Sequence, residues 1–143
     1  MRRVLFVCTG NTCRSVIAEY LARHRLDPKL VSCESAGLRL VPSENARNAI
    51  ETLRRNFGID ASAHVPRALS ELDLAPFDLI VAIDDPRGNQ IYKTLKERGV
   101  SDKTLVKWKI TDPLDGDDPS QYDGCALETV KNLETLKRIV TLP

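Results

Sequence analysis

The feature that most constrains this chain is a short strand-like run that ends in a loop suited to an oxyanion. The apolar run Val4–Val7 is followed by Cys8–Ser15, which reads Cys-Thr-Gly-Asn-Thr-Cys-Arg-Ser, and then by a helical pattern. A loop that wraps an anion with successive backbone N–H groups forms a nest, and the N-terminus of the following helix strengthens its preference for negative charge. The order of strand, loop and helix therefore predicts a site that fits phosphate.

The two ends of this loop carry the residue types that phosphate chemistry needs. Cys8 lies at the start of the nest, whose field favours the thiolate and makes the side chain a nucleophile at neutral pH. Arg14 offers a planar fork of donors that can bind two phosphate oxygens at once. We interpret this pair as nucleophile and oxyanion clamp.

The C-x5-R spacing alone is weak because the chain contains it twice. The second instance, Cys33–Arg39, contains Glu34, which would place a carboxylate beside the nest. Val41-Pro42 follows it at the point where a helix should begin, and the residue before proline avoids helical geometry. Context therefore selects Cys8 over Cys33.

Apolar runs alternate with helical periodicity along the chain, which predicts right-handed βαβ units and a parallel sheet. One amphipathic helix begins near Ser43 and stops at Gly58, and the last extends from about Pro119 to Val140 with Asp118 as its cap. The predicted strands are Val4–Val7, Leu30–Ser35, Leu79–Ile83 and Thr104–Trp108.

Composition indicates one ordinary globular domain over residues 1–143, with 42% hydrophobic and 29% charged residues. A net charge of +1 gives no argument for nucleic-acid binding. We expect no membrane span or leader, a cytoplasmic location, and a monomer or weak dimer. The four cysteines lack metal-ligand spacing, so we expect reduced thiols, no metal and no cofactor.

The string from Val4 through Cys8–Ser15 to Glu19 resembles the signature of the low-molecular-weight protein tyrosine phosphatase family. The resemblance extends over the whole chain. It implies an α/β fold, a single three-layer domain with a four-stranded parallel sheet of order 2-1-3-4 flanked by helices. It also implies a cytoplasmic, metal-independent hydrolase that acts on phosphorylated protein.

A general acid is expected on the same edge of the sheet as the loop, because ligands bind beyond the carboxyl ends of parallel strands. Four aspartates precede proline, and on sequence alone each is a turn candidate: Asp27, Asp85, Asp112 and Asp118. Asp112 follows the fourth predicted strand, and its segment resembles the acid loop of the family. Asp85 and Asp118 are interpreted as helix caps.

The resemblance implies a two-step mechanism in which Cys8 takes the phosphoryl group, Asp112 protonates the leaving group, and Asp112 then activates water. It also implies roles for residues around the loop. Asn11 resembles the residue that locks the loop, Ser15 the hydroxyl that stabilises the thiolate, and Cys13 a partner for a reversible disulfide with Cys8. The remaining phosphate-binding and supporting positions are Thr9, Gly10, Thr12, Ser35 and His64.

The substrate is left open between phosphotyrosine and phosphoarginine. Leu114-Asp115 follows Asp112-Pro113 without the aromatic wall that packs on a tyrosine ring, and Asp115 would favour a cationic leaving group. Thr12 resembles the loop residue of bacterial arginine phosphatases, although tyrosine phosphatases can also carry it. An arsenate reductase relay is disfavoured because residues 82–89 contain no thiol, and a non-catalytic phosphate-binding module is the remaining alternative.

Overall fold

The computed structural model describes residues 1–40, 44–113 and 119–140. Its strands are β1 (Arg2–Cys8), β2 (Val31–Gly37), β3 (Leu79–Asp84) and β4 (Leu105–Lys109). Its helices are α1 (Arg14–Arg25), α2 (Glu44–Phe57), α3 (Gln90–Glu97) and α4 (Pro119–Val140), with a short 3₁₀ turn at Leu69–Glu71.

The four strands form one parallel sheet in the order β2-β1-β3-β4, which confirms the predicted fold class and strand order. Each predicted strand overlaps an observed one, with ends that differ by a few residues. The second strand runs on through Gly37, where Gly37 pairs with Cys8. The two ends of this pair therefore deliver the anion loop and the segment that packs beside it to the same edge.

Alternation along β1 and β3 builds a three-layer structure. Val4 and Phe6 face one cluster of buried side chains, which they share with α1, α2 and α4. Leu5 and Val7 face a second cluster, which they share with α3 and the 3₁₀ turn. Because strand side chains alternate between faces, both sides of the sheet bury apolar surface, as parallel sheets require.

The predicted ends of two helices have different outcomes. Gly58 stops α2 at a φ of 67°, and the amides of Gly58 and Ile59 donate to the carbonyls of Arg54 and Leu53 at 3.1 Å. The bond from Gly58 to Arg54 is that of an αL C-cap motif, so the predicted C-terminal stop is confirmed. The predicted cap Asp118 lies outside the described residues.

The interpretation of Asp85 as a helix cap is wrong. Its carboxylate accepts from the amide of Arg87 in a local turn, and α3 begins only at Gln90. The preceding residue, Asp84, is the buried carboxylate that accepts from the amides of Ile91 and Tyr92, at 2.8 and 3.1 Å. Asp84 caps α3 in place of Asp85 because it is fixed at the end of β3 and its carboxylate faces the N-terminus of the helix.

None of the helices within the described ranges is both long enough and apolar enough to cross a bilayer.

Candidate active site

The loop between β1 and α1 is buried and its backbone has a shape that needs outside support. Asn11 has a φ of 55°, a left-handed conformation that non-glycine residues rarely adopt. Residues 10–13 are all buried. Within the described part of the chain, the backbone N–H groups of residues 10–13 donate to no acceptor. Buried donors of this kind are normally paired, so the loop presents a set of backbone donors suited to an anion.

The first turn of α1 adds to this set. Cys13 is the residue before the helix, and its side chain makes no capping hydrogen bond to the first turn. The first N–H groups of a helix have no partner within it, and they carry the positive end of its dipole. The loop and the helix therefore direct their positive ends toward the same edge of the sheet.

Asn11 holds the loop through four hydrogen bonds. Its amide nitrogen donates to the hydroxyls of Ser15 and Ser35 at 2.9 and 2.8 Å, and its side-chain oxygen accepts from the amide of Arg67 at 2.9 Å. Its backbone carbonyl accepts from His64 Nε2 at 3.0 Å, which requires the ring proton on that nitrogen. The strained backbone of Asn11 is thus fixed from three separate segments.

Cys8 connects to the same network. Its Sγ lies 2.9 Å from the Oγ of Ser15, and both side chains are buried. A hydroxyl can donate to a thiolate, and a donor bound to a charged group favours the charged form. The structure therefore brings together Cys8, Ser15, Asn11, Ser35 and His64.

Arg14 lies across the loop from Cys8 and is almost fully buried, with 4% of its surface exposed. Its Nη1 donates to the carbonyl of Ile110 at 3.4 Å, and its Nη2 donates to the hydroxyl of Thr9 at 3.3 Å. The carboxylate of Asp112 is 3.5 Å from Nη2. A buried guanidinium costs several kcal/mol to desolvate unless an anion faces it, which Asp112 provides.

Three consecutive amides hold the segment that carries Asp112. Ile110 donates to the carbonyl of Asp84 at 2.9 Å, and Thr111 donates to Glu128 on α4 at 3.1 Å. Asp112 donates a longer bond of 3.5 Å to the carboxylate of Asp85. These anchors place the predicted acid at the rim of the anion loop, whereas Leu114 and Asp115 lie outside the described residues.

A cavity of about 230 Å³ opens between these elements. It borders the anion loop at Thr9 and Arg14 and reaches the predicted acid Asp112, but Cys8 does not line it. In the part of the chain that the structure describes, no group of three or more His, Cys, Asp or Glu side chains is placed to hold a metal ion. The cavity is lined by Thr9, Arg14, Asp84, Asp85, Gly88, Gln90 and Asp112.

The C-x5-R spacing at Cys33 does not form a loop, as context predicted. Cys33 lies within β2, and burial raises the pKa of its thiol to about 12. Glu34 lies on the other side of the strand, partly buried, and pairs with Arg3 and Arg67 at 2.8 and 3.3 Å. Cys33 and Cys125 are both buried among apolar side chains, as the sequence predicted.

Sequence reasoning missed Glu19, which extends the loop network to the surface. This carboxylate is buried, accepts from the hydroxyl of Ser35, and pairs with Arg23 at 2.6 Å. The chain from Cys8 through Ser15, Asn11 and Ser35 therefore ends at an ion pair. The spacing of Ser15, Glu19 and Arg23 at intervals of four residues puts them on one helix face and could have indicated it.

Comparison with known proteins agrees with this geometry. A family model described as low molecular weight phosphotyrosine protein phosphatase matches residues 3–139. The chain is 31% identical over 127 residues to the low molecular weight protein-tyrosine-phosphatase Etp of Escherichia coli K12, covering 89% of this chain and 83% of that protein.

Two solved structures share the fold. The YwlE arginine phosphatase from Geobacillus stearothermophilus superimposes with a TM-score of 0.78 at 26% identity, covering 98% of this chain and 93% of that one. An arsenate reductase in its oxidised state gives a TM-score of 0.81 at 21% identity, covering 99% and 100% of the two chains. At that identity the second likeness concerns the fold alone.

Proposed function

Because the chain belongs to the low molecular weight phosphotyrosine protein phosphatase family, we propose that it hydrolyses phosphotyrosine in proteins through a phosphocysteine intermediate. The observation that carries the proposal is the set of buried, unpaired N–H groups at residues 10–13, which lies between Cys8 and Arg14. An oxyanion would satisfy those donors. The nucleophile and the guanidinium already flank the place where it would bind.

In the first step, Cys8 attacks phosphorus as the thiolate, and the bond to the leaving oxygen breaks. Asp112 gives its proton to that oxygen, which otherwise departs as an unfavourable anion. Arg14 and the loop amides bind the equatorial oxygens, whose charge they stabilise without reorganising. The side chain of Asp112 lies 3.5 Å from that of Arg14 and faces the same cavity, which supports this assignment.

In the second step, Asp112 accepts a proton from water while that water attacks the phosphocysteine, and Cys8 leaves again as the thiolate. Ser15 supports this departure from 2.9 Å. Asn11, Ser35 and His64 do not touch the phosphate in this proposal. They hold the loop in its left-handed conformation, while Thr9, Gly10, Thr12 and Cys13 contribute backbone donors.

The proposal requires no metal ion and no cofactor, because the leaving group is protonated by a side chain and the charge is bound by nitrogen donors. We place the activity in the cytoplasm, in a single domain that works as a monomer or weak dimer. Its partner is a phosphorylated protein rather than a nucleic acid or a membrane.

Phosphoarginine is the second candidate substrate. The cavity carries the carboxylate of Asp85 beside that of Asp112, and this negative charge would attract a guanidinium leaving group. Thr12 lies buried within the loop, where its hydroxyl could bond that group. A relative of the same fold from Geobacillus stearothermophilus bears the name arginine phosphatase, which supports phosphoarginine as the alternative substrate.

Arsenate reduction and simple phosphate capture are less well supported. The arsenate relay needs further thiols near the end of β3, where residues 82–89 have none. A non-catalytic module would need neither a buried nucleophile nor an acid on the same rim. Both remain as outcomes of the test below.

The test is steady-state turnover of matched phosphotyrosine and phosphoarginine peptides by the wild type, with Cys8→Ser as the blank. A tenfold preference for tyrosine, about 1.4 kcal/mol in transition-state binding, supports the primary proposal. A preference for arginine that Thr12→Ile reverses would instead support the second candidate. Absence of turnover of both peptides and of p-nitrophenyl phosphate would contradict phosphatase function and would favour arsenate reduction or phosphate capture.

A further inference from the structure

We propose that Cys125 is a second resolving thiol, which takes over a disulfide formed at Cys8 and returns the nucleophile to its reduced state. This inference rests on the proposed function, since it assumes that Cys8 is the reactive thiolate. It concerns three cysteines that the fold brings to one place: Cys8 at the end of β1, Cys13 before α1 and Cys125 on α4.

Cys13 directly precedes α1, which packs against the helix α4 that carries Cys125, and both thiols belong to the same buried cluster. Cys125 and Cys8 are both near enough to Cys13 to raise the pKa of its thiol. All three cysteines are free. Cys13 thus shares one buried cluster with the nucleophile and Cys125, and both of them influence its thiol.

Interaction with the thiol of Cys125, together with burial, raises the pKa of Cys13 well above its usual value. Cys13 is therefore a protonated thiol at neutral pH and is a poor first target for an oxidant, because the thiolate is the form that peroxides attack. Cys8, at the anion loop, is therefore the cysteine that the oxidant attacks first. Cys13 reacts afterwards with an already oxidised sulfur.

The chemistry balances with a hydroperoxide as the oxidant. Peroxide oxidises the Cys8 thiolate to a sulfenic acid and is reduced to hydroxide, or to an alcohol if organic. The Cys13 thiol condenses with the sulfenic acid, forming the disulfide and releasing water. The Cys125 thiol then attacks the Cys13 sulfur, the Cys8–Cys13 bond breaks, and the Cys125 proton passes to the leaving Cys8 sulfur.

A second cavity offers the resulting Cys13–Cys125 pair a route to external thiols. It has a volume of about 470 Å³, lies on the far side of Asp112 and Pro113, and is lined by Cys125. Although Cys125 is only 2% exposed, it borders this cavity, so a small thiol that enters there comes next to it without passing through the phosphate loop. The exchange therefore moves the disulfide from Cys8 to the Cys13–Cys125 pair, where an external thiol can reduce it.

The test follows disulfides and activity after one stoichiometric pulse of hydrogen peroxide, with no reductant. Samples are quenched with N-ethylmaleimide in acid, digested with trypsin and analysed by fragmentation mass spectrometry. Cys8 and Cys13 share the tryptic peptide 4–14, and Cys125 lies in peptide 110–131. An internal disulfide in peptide 4–14 is expected first. A link from Cys13 to Cys125, with Cys8 alkylated, is expected to replace it.

Activity toward p-nitrophenyl phosphate should fall and then return without reductant to more than half in the wild type. In Cys125→Ser and Cys125→Ala the activity before the pulse should match the wild type, but the return should be lost and the internal disulfide should persist. Cys33→Ser is the matched control, because it removes another buried thiol from the same cluster, and it should recover like the wild type.

A wild type that keeps the internal disulfide and never links Cys13 to Cys125 would overturn the inference while leaving the phosphatase proposal intact. Equal recovery in the Cys125 variants would also overturn it. Absence of turnover before the pulse would instead count against the proposed function, because the peptide map does not depend on activity.

Discussion

Arg14 and Asp112 form an ion pair whose closest atoms, Nη2 and Oδ2, are 3.5 Å apart. Arg14 is buried, whereas the side chain of Asp112 is 31% exposed. The pair joins the end of the anion loop to the segment after β4. A phosphate bound on the loop would contact the guanidinium of Arg14 with its equatorial oxygens. Its leaving oxygen would then lie on the side of Asp112.

Asp112→Asn should therefore lower kcat/KM for a phosphotyrosine peptide, which reports the first step alone, by about 10²-fold or more, because an amide cannot give up a proton. The loss should be smaller for p-nitrophenyl phosphate, whose leaving group departs readily as an anion. Steady-state kinetics on both substrates measure the difference. Asp85→Asn, a carboxylate change in the same cavity, is the control and should affect both substrates alike. Equal losses on both substrates in Asp112→Asn would contradict its role as acid.

Gly37 is required by a close approach of two backbones. A Cβ at this position would lie 2.6 Å from the carbonyl carbon of Gly10 and 2.7 Å from the amide nitrogen of Asn11. Backbone atoms cannot move away as a flexible side chain can. Gly37→Ala should cost about 1–3 kcal/mol of unfolding free energy, and activity should fall with it.

Gly124→Ala is the matched control, since a Cβ there meets no atom within 4 Å and the residue lies inside α4. Alanine in a helix interior should raise stability by about 0.5–1 kcal/mol. Urea unfolding of both variants measures the two changes in the free energy of unfolding. A Gly37→Ala protein as stable as the wild type would show that the loop is free to move from β2.

The parts of the site that could be predicted from sequence are those built by neighbouring residues. Cys8–Ser15 follows directly from its strand, so the loop and its two ends were recognisable. The cap of α3 was not, because Asp84 belongs to β3 and reaches its helix across a turn, whereas the sequence pattern favours the aspartate nearer the helix.

Glu19 and the thiol pair were missed for a related reason. Glu19 lies on a helix face that otherwise reads as apolar, and its partner Ser35 is on β2. Cys125 and Cys13 meet only because α4 packs on α1. Periodicity states which face of an element is buried, but it does not state which distant element covers that face.

Glu19→Ala should destabilise the protein and slow the reaction together. The change removes the acceptor of the buried Ser35 hydroxyl, and leaving such a group unpaired costs about 1–3 kcal/mol. The exposed half of Arg23 can turn to solvent, so the loss should come from Ser35. Glu19→Ala in a Ser35→Ala background should then cost clearly less, and additive losses in this double-mutant cycle would count against the network.

Iodoacetamide at pH 7 should modify Cys8 of the native protein well before Cys33. Burial raises the pKa of Cys33 to about 12, which leaves about one thiolate in 10⁵ at that pH. Inorganic phosphate should protect Cys8 by filling the loop, and loss of activity should follow its alkylation. Peptide masses over time give both rates. Alkylation of Cys33 at the same rate as Cys8 would mean that β2 opens readily.

Glu34 should make stability depend on pH in the acid range. Its burial opposes ionisation, but hydrogen bonds and charge from Arg3 and Arg67 outweigh it and hold the pKa of Glu34 below the usual 4.5. Folding therefore favours the carboxylate, and its contribution is complete above the unfolded pKa. That contribution is lost as pH falls through the lowered pKa of the folded state.

The difference in unfolding free energy between wild type and Glu34→Gln should accordingly be largest near about pH 6 and should shrink steadily toward about pH 3. Urea unfolding across that range measures it. Glu51→Gln is the control, because its ion pair with Arg54 is on the surface and is screened by solvent, so its effect should be smaller. A difference that stays constant or grows on acidification would mean that Arg3 and Arg67 do not stabilise the folded protein through the charge of Glu34.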